Sequence, residues 1–305
     1  MASSRFIKDT GLTARMTLVM LLLGGLFVAL VVGLMFLVDN PTLSVVIGVL
    51  GIGAAFWQWW SSDTVAMRAM RAREVTPQEA PELHGMIDRL CALADMPKPR
   101  VGVADMSMPN AFATGRSPDR AVVCVTTGIL RTLDAEELEA VLAHELSHVA
   151  HRDVLVMTVA SSAGIAAGML MRGAQYGGLG RSRNHNGGGA LVVLGAVLLS
   201  LVVYAVSFLL LRLLSRYREL SADRAGAYLT YKPGALASAL QKISGGEGPA
   251  IPQRDLRAGH AVSALCIVPA LRGNDLGSLL STHPPLQQRL EQLARIQAEL
   301  ARPGE

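Results

Sequence analysis

Residues 133–153 read LDAEELEAVLAHELSHVAHRD and hold both a helix and a site. Asp134, followed three residues later by Glu137, forms an N-cap and capping-box pattern, which satisfies the first backbone N–H groups of a helix. The spacing of Leu138, Val141, Leu142 and Val149 predicts that helix from about Ala135 to Ala150. On it His144 and His148 stand four residues apart, one turn above each other on the same face. Their imidazoles suit two corners of a zinc tetrahedron, and Glu145 lies within reach of a water at an open corner. An H-E-x-x-H arises by chance in roughly one chain in a hundred of this size, so the surroundings must carry the argument.

Hydrophobic residues make up 51% of the 305 and charged residues only 17%, well below the quarter usual in soluble proteins. That deficit points to a lipid bilayer. The net charge of +4 comes from basic residues beside apolar runs, which indicates anchoring at a membrane surface and not nucleic-acid binding. Cys91, Cys124 and Cys266 are few and far apart, with no C-x-x-C; they fit buried thiols in a reducing compartment.

Four apolar runs divide the chain. Arg5, Lys8 and Arg15 precede the first, Met16 to Val38, which exceeds the roughly 20 residues needed to span. Its length, the lack of an A-x-A-like site and the second run that follows at once argue against a cleaved signal. A tight turn at Asp39-Asn40-Pro41-Thr42 leads to Leu43 to Trp60, closed by Trp57, Trp59 and Trp60 where an interfacial belt sits. With Arg68, Arg71 and Arg73 beyond, both ends of this hairpin are expected in the cytoplasm. Val154 to Met171 and Ala190 to Leu211 form a second hairpin around a Gly-rich loop, 172–189. Arg172, Arg181 and Arg183 in that loop oppose the positive-inside tendency, so a shallow re-entrant hairpin is the alternative to two full spans.

Between the hairpins the chain reads as globular. Helical spacing runs from Pro77 to Leu93, with His84 expected to be structural. Strands are expected at Arg100 to Ala104, Asn110 to Thr114 and Ala121 to Thr126, the last two joined by a turn-rich connection. After the fourth run the helix is expected to continue through RLLSRYRELSADRAGAYLT to Tyr231-Lys232-Pro233-Gly234. A short helix follows over Gly234 to Ile243, and Leu286, Leu290, Leu293, Ile296 and Leu300 mark a C-terminal one.

A catalytic zinc takes three protein ligands and keeps one position open. Glu219 is the best third ligand, with Asp223 one turn on as a hydrogen-bond acceptor for a ligand histidine. An oxyanion donor is also needed; His283 is the first candidate and Arg218 the second. Asn110-Ala111-Phe112-Ala113-Thr114 is a candidate edge strand for binding extended peptide by β-augmentation.

Five stretches occur together and in order: PELHGMIDRLCALADMPKPRV (81–101), PNAFATG (109–115), AHELSHVAHRD (143–153), RELSAD (218–223) and THPP (282–285). With the apolar runs, they make the chain resemble the HtpX-type integral-membrane zinc metalloproteases, relatives of the type I CAAX prenyl proteases. The resemblance implies that His144, His148 and Glu219 bind one zinc ion, that Glu145 is the catalytic base, and that Asn110 to Thr114 hold substrate. It also implies quality control of misfolded or damaged membrane proteins. The fold expected is α+β and mostly helical, a zincin-like catalytic domain with a small β-sheet and about four transmembrane helices.

The expected organisation is a transmembrane hairpin (1–60), a first protease segment (61–153), a second hairpin (154–211) and a second protease segment (212–305), in the inner or plasma membrane with the catalytic domain cytoplasmic. Partners are membrane-protein substrates and the lipid bilayer. A CAAX-type processing protease and a non-enzymatic scaffold with a structural zinc are the alternatives. Counted at 1.5 Å per residue along unbroken helices, His148 and Glu219 should lie about 9 Å and about 12 Å from the membrane ends of their helices.

Overall fold

The computed structural model describes residues 10–37, 41–153, 188–245 and 284–301. It is mostly helical with one small mixed sheet, and it divides into two compact units. The first comprises Met1–Thr13, Ser62–Leu155 and Ser215–Glu305, the second Ala14–Ser61 and Val156–Leu214.

In the second unit, α1 (Thr10–Leu37) and α2 (Pro41–Trp60) are apolar helices. Leu21, Leu50 and Ile52 are each about two-thirds exposed, at 70%, 66% and 66%, which water would penalise and lipid would not. A Cβ on Gly33 would lie 2.9 Å from Leu199 Cδ2, so a residue without a side chain permits the close approach there. Leu199 belongs to α7 (Gly188–Thr230), a helix of 43 residues. Among the described residues, two helical stretches are long and apolar enough to cross a membrane, Thr10–Gly33 and Val197–Thr230. The third apolar run and the Gly-rich loop up to residue 187 lie outside the described residues.

The first unit is built on four strands in the order β1-β2-β4-β3: β1 (Ala72–Glu74), β2 (Arg100–Ala104), β3 (Ala111–Thr114) and β4 (Val122–Thr126). β2 runs parallel to β4, while β1 and β3 pair antiparallel to their neighbours. β4 is central and buried at every position, as its run of VVCVT requires. Its Val123 and Val125 join the main core with Ala111 of β3, whereas Cys124 and Phe112 join a smaller cluster with Ala66 and Met70. This is the period-two alternation of a sheet covered on both faces. The smaller cluster is closed by α3 (Ser62–Ala69), the main one by α4 (Pro81–Ala94), α5 (Thr127–Thr132) and α6 (Ala135–Ala150). β1 and α5 have no counterpart among the sequence expectations. β1 is three residues, two of them charged, and no periodicity can be read from so short a run.

The capping box at Asp134 and Glu137 is formed in both directions, at 2.9 and 3.0 Å. At its other end α6 does not run on into the third apolar stretch. It stops at Ala150, and Arg152 takes a left-handed conformation with φ 58°. The straight count of about 9 Å from His148 to a membrane end therefore does not hold. The break has a use: in an unbroken helix residue 153 would point well away from the His148 face, at about 100° per residue. The turn instead returns Asp153 to His148. α7, in contrast, is continuous from Gly188 through Glu219 to Thr230. Tyr231 at φ 55° ends it before α8 (Pro233–Gly245), and α9 (Leu286–Leu300) is the C-terminal helix. Gly115, at φ 139°, turns β3 toward the loop before β4; a Cβ there would meet Ala121 Cα at 2.6 Å.

Candidate metal centre

The site lies wholly within the first unit, where α6 meets the C-terminal part of α7. Gly226 sets the approach of these helices, because a Cβ there would stand 3.0 Å from the backbone nitrogen of His144. On α6 the rings of His144 and His148 face each other edge-on, centroids 4.9 Å apart and planes at 89°. Their Nε2 atoms are 3.3 Å apart. From α7, Glu219 brings Oε1 to 3.6 Å from His148 Nε2 and Oε2 to 3.7 Å from His144 Nε2.

These three buried residues form the one group of three or more potential ligands among the described residues. Zinc–ligand bonds of about 2.0–2.2 Å place the corners of a tetrahedron roughly 3.3–3.6 Å apart. The two nitrogens stand at that spacing, and each faces its own oxygen of Glu219 at a distance close to it, so the group can close around one ion.

Each histidine has a carboxylate behind it, and each carboxylate an arginine. His144 Nδ1 lies 2.9 Å from Asp223 Oδ1, and Arg289 of α9 grips both Asp223 oxygens through Nε at 2.7 Å and Nη2 at 2.6 Å. His148 Nδ1 lies 2.6 Å from Asp153 Oδ2, which Arg218 Nε approaches at 2.9 Å. A carboxylate on Nδ1 fixes the tautomer that turns the Nε2 lone pair toward a metal and makes that nitrogen more basic.

The local field favours positive charge. Burial opposes protonation of His144, but its bonds to Asp223 and Glu219 outweigh that and push its pKa up to about 9. Burial likewise opposes ionisation of Asp153, yet the Arg218 charge and the His148 contact hold its carboxyl below the usual range. Glu145 behaves differently. Burial raises its carboxyl above the ordinary range despite both histidines, and a carboxyl so poised can accept a proton and release it again.

Glu145 accepts a hydrogen bond from the backbone N–H of Ala113. β3 is an edge strand, and Asn110 pairs inward by accepting from Thr126 N at 2.9 Å. By antiparallel alternation the N–H and C=O groups of Ala111 and Ala113 then face away from β4. Of the other sequence candidates, Asn110, Phe112 and Thr114 are buried in that strand or at its start, and His283 lies outside the described residues. Arg218 is turned onto Asp153. His84 Nε2 donates to the Val75 carbonyl at 3.0 Å, away from the site.

Sequence reasoning missed Asp153, Gly226 and Arg289. Arg289 had a signal: it sits with Leu286, Leu293 and Ile296 on the buried stripe of α9, a place where a lone cation needs a partner. Asp153 had none, since its approach depends on the turn at Arg152.

A model of the family described as peptidase family M48 matches residues 77–297. The protease HtpX homolog 1 of Streptomyces coelicolor is 55% identical over 301 residues, covering 97% of this chain and 96% of the relative. The protease HtpX homolog of Moorella thermoacetica is 48% identical, covering 96% and 97%. Among solved structures, S. mikatae Ste24p superposes with a TM-score of 0.53 at 18% identity, covering 88% of this chain and 62% of that one, a likeness of fold alone.

Proposed function

Because the chain belongs to peptidase family M48, we propose that it uses one zinc ion, held by His144, His148 and Glu219, to cleave membrane proteins at the cytoplasmic surface of the bilayer. The chain is a metallopeptidase of the HtpX type; the metal's identity, the substrates and the orientation are the proposal. The observation that carries it is the buried cluster of two imidazole nitrogens 3.3 Å apart, each facing a different oxygen of Glu219 at 3.6 and 3.7 Å, with Glu145 beside it. A zinc ion held by His144, His148 and Glu219 would supply Lewis acidity toward the scissile carbonyl and the attacking water. Glu145 takes a proton from the attacking water and delivers it to the nitrogen of the leaving amine. Asp223 and Asp153 keep the two imidazoles aimed, and Arg289 and Arg218 hold those carboxylates.

Extended substrate adds to the outer edge of β3 at the Ala113 carbonyl, since the Ala113 N–H is donated to Glu145 and Ala111 is buried. That mode reads main chain more than side chains and suits damaged proteins of many sequences. The exposed leucines of α1 and α2 support a lipid environment, and four spans are the complete form of the membrane part. Counted along α7, Glu219 follows Leu211 by about 12 Å of helix, which supports a site close to a bilayer surface. A purely structural zinc is disfavoured, since among the described residues no fourth His, Cys, Asp or Glu joins the group.

Purified protein in detergent should hold about one zinc per chain, and Glu145→Gln should retain it while losing cleavage of a membrane substrate by about a thousandfold or more. Absence of stoichiometric zinc, or full activity in Glu145→Gln, sinks the proposal. Cleavage confined to prenylated peptides favours a CAAX-type processing role.

A further inference from the structure

The structure assigns Arg289 as a positioning residue of the metal centre, one that makes metal affinity depend on the docking of the C-terminal helix; this rests on the zinc reading above. Arg289 is a long cationic side chain only 1% exposed, and burying it requires compensating charge. It has two carboxylates. Besides gripping Asp223 with two nitrogens, it brings Nη1 to 3.7 Å from Glu219 Oε2. Asp223 and Glu219 are one turn apart on α7, so a single guanidinium spans the helix face that supplies a metal ligand and the orienter of another.

Two consequences follow from that geometry. Asp223, held at both oxygens, cannot rotate, so its Oδ1 stays opposite His144 Nδ1. Glu219 is steadied against the repulsion of Asp223 and Glu145. Both effects reach α7 and α6 from α9, which is seated by Gln292 donating to the Leu220 carbonyl at 2.6 Å, Tyr228 donating to Glu299 at 2.6 Å, and buried Leu293 and Ile296. Lysine cannot do the same work, because a point charge cannot hold both oxygens in one plane.

The test uses the full chain in detergent with zinc alone, competed against a chelator, and cobalt(II) as a spectroscopic probe. Arg289→Met should weaken zinc binding about 10- to 100-fold, with Arg289→Lys in between. The visible cobalt spectrum of Arg289→Met should also shift, reporting altered ligand geometry in folded protein. In an Asp223→Asn background, Arg289→Met should add less than about threefold, because the pair acts along one line. Asp223→Asn/Arg289→Met carries no lone buried charge, so it keeps the question open to measurement if Arg289→Met does not fold. Wild-type zinc affinity and cobalt spectrum in folded Arg289→Met, or fully additive losses in the double variant, overturn the proposal. Failure of every variant to fold assigns Arg289 to the scaffold and overturns it as well. If the wild type itself binds no zinc, the fault lies with the metal reading and not with Arg289.

Discussion

Gly226 shows how one missing methyl can govern a metal site. It lies inside α7, where alanine would ordinarily stabilise a helix by about 0.5–1 kcal/mol. Here the added Cβ would press on His144, at 3.0 Å from its N and 3.2 Å from its Cα, atoms that cannot swing aside. Overpacking of this kind costs about 1–3 kcal/mol, so the steric effect should win. Gly226→Ala is expected to lower stability by about 1 kcal/mol and, by moving Glu219 away from the histidines, to weaken zinc binding several-fold. Chelator competition and thermal unfolding of the same preparation check both halves; a more stable protein with unchanged affinity would contradict the close-approach argument. His144, His148 and Glu145 were legible because their spacing on a helix fixes their geometry whatever surrounds it. Gly226 and Asp153 were not, since one acts through its distance to another helix and the other through a left-handed turn.

At the scale of elements, α6 holds the site only if its N-terminus is secured, and Glu137 does that twice. It closes the capping box with Asp134, and its carboxylate accepts from Ser238 Oγ at 2.6 Å and Lys242 Nζ at 2.7 Å on α8. Burial alone would raise its pKa, but the Lys242, Ser238 and Asp134 contacts prevail and hold it below 4.5. A carboxyl depressed in the folded state contributes stability that is complete above the unfolded pKa and lost as pH falls through the folded one. Glu137→Gln should therefore cost about 1–2 kcal/mol at pH 7, a figure reduced because Lys242 is 44% exposed, and progressively less below pH 4. Thermal midpoints at pH 7 and at about pH 3 test this; an equal deficit at both removes the charge from the explanation. The sequence announced this helix through its cap and its period, and announced β2, β3 and β4 through their apolar runs. It could not announce the sheet order, because β2 pairs in parallel with β4 and places β3, the earlier strand of a sequence-local hairpin, at the edge. Nor could it show that α9 carries a charge to the metal centre, since leucine periodicity describes only how that helix packs.

For the whole molecule the open variable is orientation, which charge asymmetry addresses and thiol chemistry can measure. The proposed orientation, with both ends of the first two apolar helices on the cytoplasmic side, rests on Arg5, Lys8 and Arg15 before the first apolar run and Arg68, Arg71 and Arg73 after the second. Such an experiment needs silent native cysteines, and the fold provides two. Burial pushes the Cys91 thiol up to about 11 and Cys124 up to about 12, so neither offers much thiolate at pH 7. With Cys266→Ser as the background, Asp39→Cys, between α1 and α2 in sequence, should label with a membrane-impermeant maleimide in intact cells. Glu291→Cys, on the exposed face of α9, should label only after permeabilisation. If both label from outside, the catalytic unit faces away from the cytoplasm and its substrates must be sought there. If Asp39→Cys labels only after permeabilisation, the first two helices do not form a hairpin across the bilayer, and the exposed leucines of α1 and α2 need another apolar partner.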